Sequence, residues 1–233
     1  MQKTLVIDCE TTGLCAEEDE IVQLSIIDQY GDVVYNSYLR PVHTDAWPEA
    51  ERVNGISPEM VSDAPTAEEE APKIKSIFEK ASKIIGYNVG FDMDFISNWF
   101  GVDFAEKEIV DVMLDFAKIY GEWSDYFGSY KWQKLTTCAN YYDYDWGSDA
   151  AHDSLADARA TLYCHNVMQE ELEEFCEEEI SWEDRDDYTN YDVYDEELNT
   201  VASFVNRSMA EDYAEWASEK YGIKCKVAEP PFS

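Results

Sequence analysis

Continuous apolar runs mark the predicted β-strands in the first half of the chain. Apolar and β-branched residues fill three runs, at residues 4–8, 21–28 and 33–39, and a short polar turn, QYGD, joins the last two. Runs bounded by turn residues predict three strands, the second and third forming a hairpin. Two further apolar runs, at residues 83–87 and 108–111, predict a fourth and a fifth strand.

Helical spacing appears between and after these strands. Residues 67–81 place apolar side chains three and four positions apart behind Thr66, a preferred N-cap residue that is followed by Glu69. Helices are also expected over residues 91–100, 112–120, 134–142 and from 153 toward 175. Three strands followed by alternating helices and strands predict an α/β fold, with a mixed five-stranded sheet flanked by helices.

The last part of the chain differs in pattern. Residues 177–197 are crowded with acidic residues and contain Arg185 as their one base, so we expect a solvated linker there. Residues 198–221 carry apolar side chains at helical intervals, which predicts an amphipathic helix. We therefore expect one domain over residues 1–176, then the acidic linker, then a helical extension over residues 198–233.

Composition adds a strong negative charge to this picture. The 233 residues include 51 Asp and Glu against 17 Lys and Arg, a formal charge of −34, yet 45% of residues are hydrophobic, enough to build a core. This charge excludes proteins that hold nucleic acid or anionic membranes through a broad basic surface. No apolar run reaches a transmembrane length and no secretory signal precedes the first strand, so we expect a cytoplasmic protein with no membrane partner.

Carboxylates stand at the end of the first predicted strand. Asp8 and Glu10 are two positions apart, so both side chains emerge on one face of the strand. Two anions this close favour a hard cation between them, and Mg²⁺ prefers such ligands; a solvated strand end is the alternative. The Thr11-Thr12-Gly13 turn that follows offers small side chains and backbone N–H groups to a ligand.

Two more polar groups follow in the chain. Asn88 lies after the fourth strand, and either Asp92 or Asp94 offers a carboxylate from the start of the next helix. Further on, Asp157 lies one turn inside the last core helix, behind His152. Taken alone, this histidine is better explained as a helix-capping or surface side chain than as a catalytic one.

In order and spacing, these groups resemble the motifs of the DEDDh, or DnaQ-like, family of 3′–5′ exonucleases, which includes the proofreading ε subunit of bacterial DNA polymerase III. The D-x-E-T-T-G motif of the family matches residues 8–13, its H-N-x-x-F-D-like turn matches residues 87–92, and its H-x(4)-D motif matches residues 152–157. The resemblance covers about residues 3–170 and implies a ribonuclease H-like fold.

The resemblance implies a site with two divalent cations, Mg²⁺ or Mn²⁺. It selects Asp92 over Asp94 as the second-motif acid. It implies that Asp8 bridges both cations, that Glu10 and Asp157 complete one site, and that Asp92 acts from the facing helix.

The resemblance also implies the groups around the substrate. His152 is expected to be the general base that takes a proton from the attacking water. The 3′ end of a strand is expected along the turn after the first strand, beside a loop where Asn54 replaces a histidine common in the family. The residues expected to contact substrate are Thr11, Thr12, Gly13, Leu14, Val53, Asn54, Asn88 and Phe91.

These expectations converge on a metal-dependent exonuclease that removes nucleoside 5′-monophosphates from the 3′ ends of single-stranded or frayed DNA. Proofreading or repair would be its setting, and a polymerase or another replication protein is one partner it could serve. Two alternatives stay open. One is an RNA-trimming exonuclease or oligoribonuclease, and the other is a non-catalytic acidic protein that binds a partner.

Overall fold

The computed structural model describes residues 3–126, 128–147, 153–178, 191–194, 200–204, 210–211, 213–215, 217 and 225–228. The chain divides into two compact units. The first is drawn from Met1–Leu114 and Lys134–Val167, and the second from Asp115–Gln133 and Met168–Ser233. His152, the expected general base, lies outside the described residues.

A mixed five-stranded sheet forms the centre of the first unit. Its strands are β1 (Lys3–Thr11), β2 (Ile21–Asp28), β3 (Val33–Tyr38), β4 (Ala81–Gly86) and β5 (Glu108–Asp111), in the order β3-β2-β1-β4-β5. β2 pairs antiparallel with β1 and β3, whereas β4 pairs parallel with β1 and β5. The predicted mixed sheet is confirmed, and the carboxyl ends of its three parallel strands meet at one edge.

The helices with described bounds are α1 (Pro48–Asn54), α2 (Ala67–Phe78), α3 (Val89–Phe100), α4 (Val112–Tyr120), α5 (Leu135–Tyr141) and α6 (Ser154–Glu178). The helices predicted between residues 67 and 175 therefore form, and α4 has the predicted bounds. α1 was not expected because seven residues show no clear apolar period, although Pro48 and the left-handed Gly55 (φ 71°) are usual signals of helix ends. Among the described residues, no helix is long and apolar enough to cross a membrane.

One face of the sheet is covered by an apolar core. Leu5 and Ile7 of β1 pack in one cluster with Ile74 and Phe78 of α2 and Phe95 of α3, and all five side chains are buried. Burial of each such side chain stabilises the fold by roughly 1.5–3 kcal/mol. This face therefore holds β1 in place along its length.

The second unit contains short strands. β6 (Trp123–Ser124) and β7 (Ser129–Tyr130) pair as a hairpin. β8 (Tyr191–Tyr194) is the central strand of a second antiparallel sheet, flanked by β9 (Thr200–Phe204) and β10 (Lys226–Ala228).

This second sheet corrects two expectations. β8 falls inside the stretch expected to be a solvated linker, and β9 replaces the start of the helix expected over residues 198–221. Tyr, Val, Thr and Phe favour strands once a pairing partner is present, and that pairing outweighs the helical spacing. Helix is present, as expected, at residues 210, 211, 213–215 and 217. The domain boundaries at residues 176 and 197 stay predictions.

Candidate active site

Three carboxylates meet at the carboxyl end of β1. Asp8 and Glu10 lie on the same face of the strand, and Asp157 reaches them from the first turn of α6. One carboxylate oxygen from each residue lies within 4.8 Å of the other two. Oxygen donors at this spacing suit a hard divalent cation, so the residues present fit the metal site that the motifs imply.

Asp92 lies in the first turn of α3, close enough for its charge to raise the pKa of Asp8 and Glu10, although it is not among the three residues whose oxygens lie within 4.8 Å of one another. Its side chain is 3% exposed, and its Oδ1 accepts a hydrogen bond of 2.8 Å from the backbone N–H of Cys9, which lies between the two acids of β1. Asp94, the rival acid, is exposed. The fold therefore brings Asp92, rather than Asp94, to the carboxylate group.

Burial and mutual repulsion make these acids hard to ionise together. Burial raises the pKa of Asp8 well above its ordinary value, and the charges of Asp92, Asp157 and Glu10 raise it further. Burial, followed by the charges of Asp157 and Asp92, raises the pKa of Glu10 to about 8, although a hydrogen bond from Asn54 lowers it. Burial raises the pKa of Asp92 to about 7. A divalent cation would offset this repulsion and favour the ionised forms.

β2 adds two neutral polar side chains to the same face, and no motif pointed to them. In the antiparallel register, Gln23 lies opposite Glu10 and Ser25 lies opposite Asp8. Residues directly opposite in such a pair share a face. Their one signal in the sequence is that polar residues occupy positions 23 and 25 of an otherwise apolar strand, IVQLSIID.

The turn after β1 is held by its own groups. Oγ1 of Thr11 donates to the carbonyl of Gly13 at 2.6 Å. The N–H of Thr12 donates to the carbonyl of Glu20 at 2.8 Å, and Oγ1 of Thr12 accepts from the N–H of Glu20 at 2.9 Å. The backbone donor expected at Thr12 is therefore used inside the turn. Leu14, which is 87% exposed, is the part of the turn open to a ligand.

Gly13 is required by a close approach within this turn. A Cβ at this position would collide with the carboxylate of Asp19. That carboxylate accepts a hydrogen bond of 2.9 Å from the N–H of Cys15, which helps to fold the loop back toward β2. A larger side chain at position 13 would therefore require the Asp19 carboxylate to move away.

Asn54 links the end of α1 to β1. Its Nδ2 donates to the carbonyl of Thr11 at 3.2 Å, and its Oδ1 accepts from the N–H of Ile56 at 3.0 Å. It also hydrogen-bonds the side chain of Glu10. Val53, next to it, is exposed. Asn54 is thus placed to orient a metal-binding acid as well as to meet a substrate.

Asn88 and Phe91 lie at the start of α3. Asn88 has a left-handed φ of 59°, and its N–H donates to Oδ1 of Asp111 at 3.0 Å. Phe91 is half-buried against Phe95, with ring centroids 4.9 Å apart. Asp111, which no motif indicated, also accepts from the N–H of Met113 at 3.0 Å, so it fixes the turn before α3 and the start of α4.

A family model described as an exonuclease, RNase_T, matches residues 5–164 of this chain. The chain belongs to this exonuclease family. The protein of Escherichia phage 186 named "Uncharacterized exonuclease CP81" is 33% identical over 168 residues, which are 68% of this chain and 84% of the phage protein. The "3'-5' exonuclease DinG" of Staphylococcus epidermidis is 30% identical over 113 residues, which are 46% of this chain and 12% of DinG.

Solved structures of exonuclease I share the fold of this family member. Against E. coli exonuclease I in complex with a dA16 oligonucleotide, the TM-score is 0.57 at 22% identity, with 73% of this chain and 41% of that chain covered. The chain therefore spans less than half of exonuclease I and about one eighth of DinG. The likeness confirms the expected fold, a mixed sheet flanked by helices.

Proposed function

We propose that this protein is a metal-dependent exonuclease that hydrolyses single-stranded or frayed DNA from its 3′ end and releases nucleoside 5′-monophosphates. The observation that carries the proposal is the carboxylate group of Asp8, Glu10 and Asp157, with oxygens within 4.8 Å of one another. Membership of the exonuclease family supports the reaction class. The name of DinG supports the direction, and the oligonucleotide bound to exonuclease I supports DNA as the substrate.

The carboxylates would hold two divalent cations, Mg²⁺ or Mn²⁺. When bound, such a pair activates water, neutralises the non-bridging phosphate oxygens and stabilises the leaving oxygen. The charges of Asp92, Asp157 and Glu10 all raise the pKa of Asp8. Asp8 would bridge the pair. Glu10 and Asp157 would complete one site, and Asp92 would act from α3. Four carboxylates balance the charge of two divalent cations.

Proton transfer and strand placement fall to neighbouring groups. We assign removal of the proton from the attacking water to His152 on the strength of its motif match, since a neutral imidazole accepts a proton near pH 7. It directly precedes Asp153, whose side chain is hydrogen-bonded to Gln23. Asp153, the residue after the proposed base, is thus attached to the strand beside the carboxylates.

The exposed side chains near β1 would receive the 3′ end. Leu14 would pack against the terminal base, and Phe91 and Val53 would add apolar surface. Apolar contact with a base tolerates any sequence, so we expect degradation without sequence preference. The turn of Thr11, Thr12 and Gly13 would shape the backbone path, and Asn54 and Asn88 would offer amides beside it.

An oligonucleotide assay tests this proposal. A 5′-labelled single-stranded DNA should shorten from its 3′ end in Mn²⁺ and stay intact in EDTA. A matched RNA strand is run in parallel. Faster degradation of the RNA would favour RNA trimming over DNA hydrolysis as the function. A chain that binds Mn²⁺ but leaves both strands intact would contradict the proposal and favour the acidic binding protein. A role in proofreading or repair, a polymerase partner and a cytoplasmic location stay predictions.

A further inference from the structure

We propose that Gln23 is a positioning residue that makes Asp157 a metal ligand, by fastening the start of α6 to β2 through a side chain that carries no charge. The inference rests on the proposed function, because it concerns the same carboxylate site. It deepens that function by naming what places the acid supplied by α6.

The amide of Gln23 binds two consecutive residues at the start of α6. Its Nε2 donates to Oδ2 of Asp153 at 2.9 Å, and its Oε1 accepts from the N–H of Ser154 at 3.3 Å. Gln23 is 3% exposed. Hydrogen bonds shielded from water are stronger, and leaving either partner unsatisfied there is unfavourable. The amide therefore sets where α6 begins on the sheet.

Asp153 connects Gln23 to the helical turn that contains Asp157. Its second oxygen, Oδ1, accepts from the N–H groups of Leu155 and Ala156 at 3.1 and 3.2 Å, and its carbonyl accepts from the N–H of Asp157 at 2.9 Å. Asp153 is thus the N-cap of α6, a position at which Asp stabilises a helix. Asp157 belongs to the helical turn that this cap starts.

A second contact fixes the orientation of the helix. The hydroxyl oxygens of Ser25 and Ser154 are 2.7 Å apart, and both residues are buried. Oγ of Ser25 also donates to Oδ1 of Asn36 at 3.2 Å. Attachment at two positions of β2 holds the start of α6 against rotation.

The register of β1 and β2 explains why a neutral side chain suits position 23. Gln23 lies directly opposite Glu10, so a carboxylate there would join an already crowded group of acids. A carboxylate at position 23 would also lack the N–H group that donates a hydrogen bond to Asp153. The amide supplies one donor and one acceptor, and it therefore satisfies both partners without adding repulsion.

Titration of the full chain with Mn²⁺ alone, by calorimetry, tests this role. Q23M keeps the side-chain length but removes both hydrogen bonds, and Q23E removes the donor and adds a charge. Both variants should bind Mn²⁺ about tenfold or more weakly, in the range seen when groups that orient metal ligands are lost. Q169E is the control, since Gln169 is exposed and the substitution adds the same charge; it should bind Mn²⁺ like the parent.

A double variant adds a rescue experiment. In Q23E/D153N the amide and the carboxylate exchange places, so the hydrogen bond between the two side chains returns with reversed polarity, the N–H of Ser154 still has an acceptor at position 23, and the net charge is that of the parent. Mn²⁺ affinity should recover relative to Q23E alone. A merely structural role would shift the thermal midpoint in EDTA without moving Mn²⁺ affinity.

The outcomes separate this inference from the proposed function. Parent-like Mn²⁺ affinity in Q23M and Q23E overturns the positioning role, whatever the DNA assay shows. If Q23M does not fold, the comparison of Q23E with Q23E/D153N decides, and failure of the rescue counts against the inference. A parent that binds Mn²⁺, loses affinity on Q23E and cuts no nucleic acid overturns the proposed function alone. A parent that binds no Mn²⁺ overturns both.

Discussion

β1 turns Ile7 and Cys9 to one side of the sheet and Asp8 and Glu10 to the other. The first pair lies in the core formed with α2 and α3, where burial lowers the free energy of the folded state. The second pair lies beside Asp157, where burial and like charges raise the pKa of the acids. Ionised carboxylates on this side therefore oppose folding, while the apolar side favours it.

Adjacent residues of β1 thus have opposite effects on the free energy of folding. The apolar side can hold the strand rigid while the acidic side keeps carboxylates whose repulsion is relieved by protons or by a cation. In a site of this kind, the stabilising contacts are made by the apolar core on the opposite face of the sheet, which does not contact a ligand. Four substitutions or conditions test this division, and they are ordered below by the size of the expected effect.

The largest effect is expected on the acidic face. Asp8→Asn should lower the rate of DNA hydrolysis by roughly a thousandfold or more, about 4 kcal/mol, because it removes the carboxylate expected to bridge the cations. Steady-state kinetics in Mn²⁺ measures this. The same variant should melt at a higher temperature than the parent in EDTA, because one repelled charge is gone. Retention of a tenth of the activity would contradict the assignment.

The opposite face should show the reverse behaviour. Ile7→Ala should lower the free energy of unfolding by about 2–5 kcal/mol, as expected for a large side chain lost from a packed core. Urea unfolding measures the loss, and the folded variant should bind Mn²⁺ like the parent. Val33→Ala is the control, because Val33 is 48% exposed and its truncation should change stability little. A large loss of Mn²⁺ affinity in the folded I7A variant would show that the faces are not independent.

The third test is pH. Asp92 and Glu10 have pKa values of about 7 and about 8 in the folded chain, against about 4 when unfolded, so between these values the folded chain holds more protons. Stability of the metal-free protein should therefore fall from pH 5 to pH 8, by about 1.4 kcal/mol per pH unit for each proton that the folded chain holds in excess of the unfolded chain. Added Mg²⁺ should reduce the fall, and the rise in melting temperature that it causes should be larger at pH 8.

Asp92→Asn is the control for this pH effect. It removes one raised pKa and part of the repulsion at Asp8 and Glu10, so its metal-free melting temperature should depend less on pH. A parent whose melting temperature in EDTA is flat between pH 5 and 8 would show that repulsion among these acids does not oppose folding.

The smallest effect is expected at the turn beside the acids. Leu14→Ala should weaken binding of a DNA 3′ end about threefold to fivefold, roughly 1 kcal/mol, because part of an apolar contact is lost. Its stability should match the parent, since the side chain is almost fully exposed. Fluorescence anisotropy in Ca²⁺ measures the affinity, with V33A as the control. An unchanged affinity would remove Leu14 from the substrate site.

Local patterns predicted much of the first unit. β2, β5 and α4 have the predicted bounds, because each is an apolar run closed by polar or turn residues. β8 and β9 were missed because their stability comes from pairing between segments, which helical spacing within one segment does not reveal. α1 was missed because it is too short to show a period.

The sequence by itself determined that Asp8 and Glu10 share a face, because the alternation of a strand is local, and its motifs named Asp92 and Asp157 as their companions. Only the tertiary structure decided how these acids are placed. Asp92 binds the backbone of a residue 83 positions away, and Gln23 anchors the start of α6 from 130 positions away. Such contacts depend on strand register and helix packing, which belong to the folded chain and to no single segment of it.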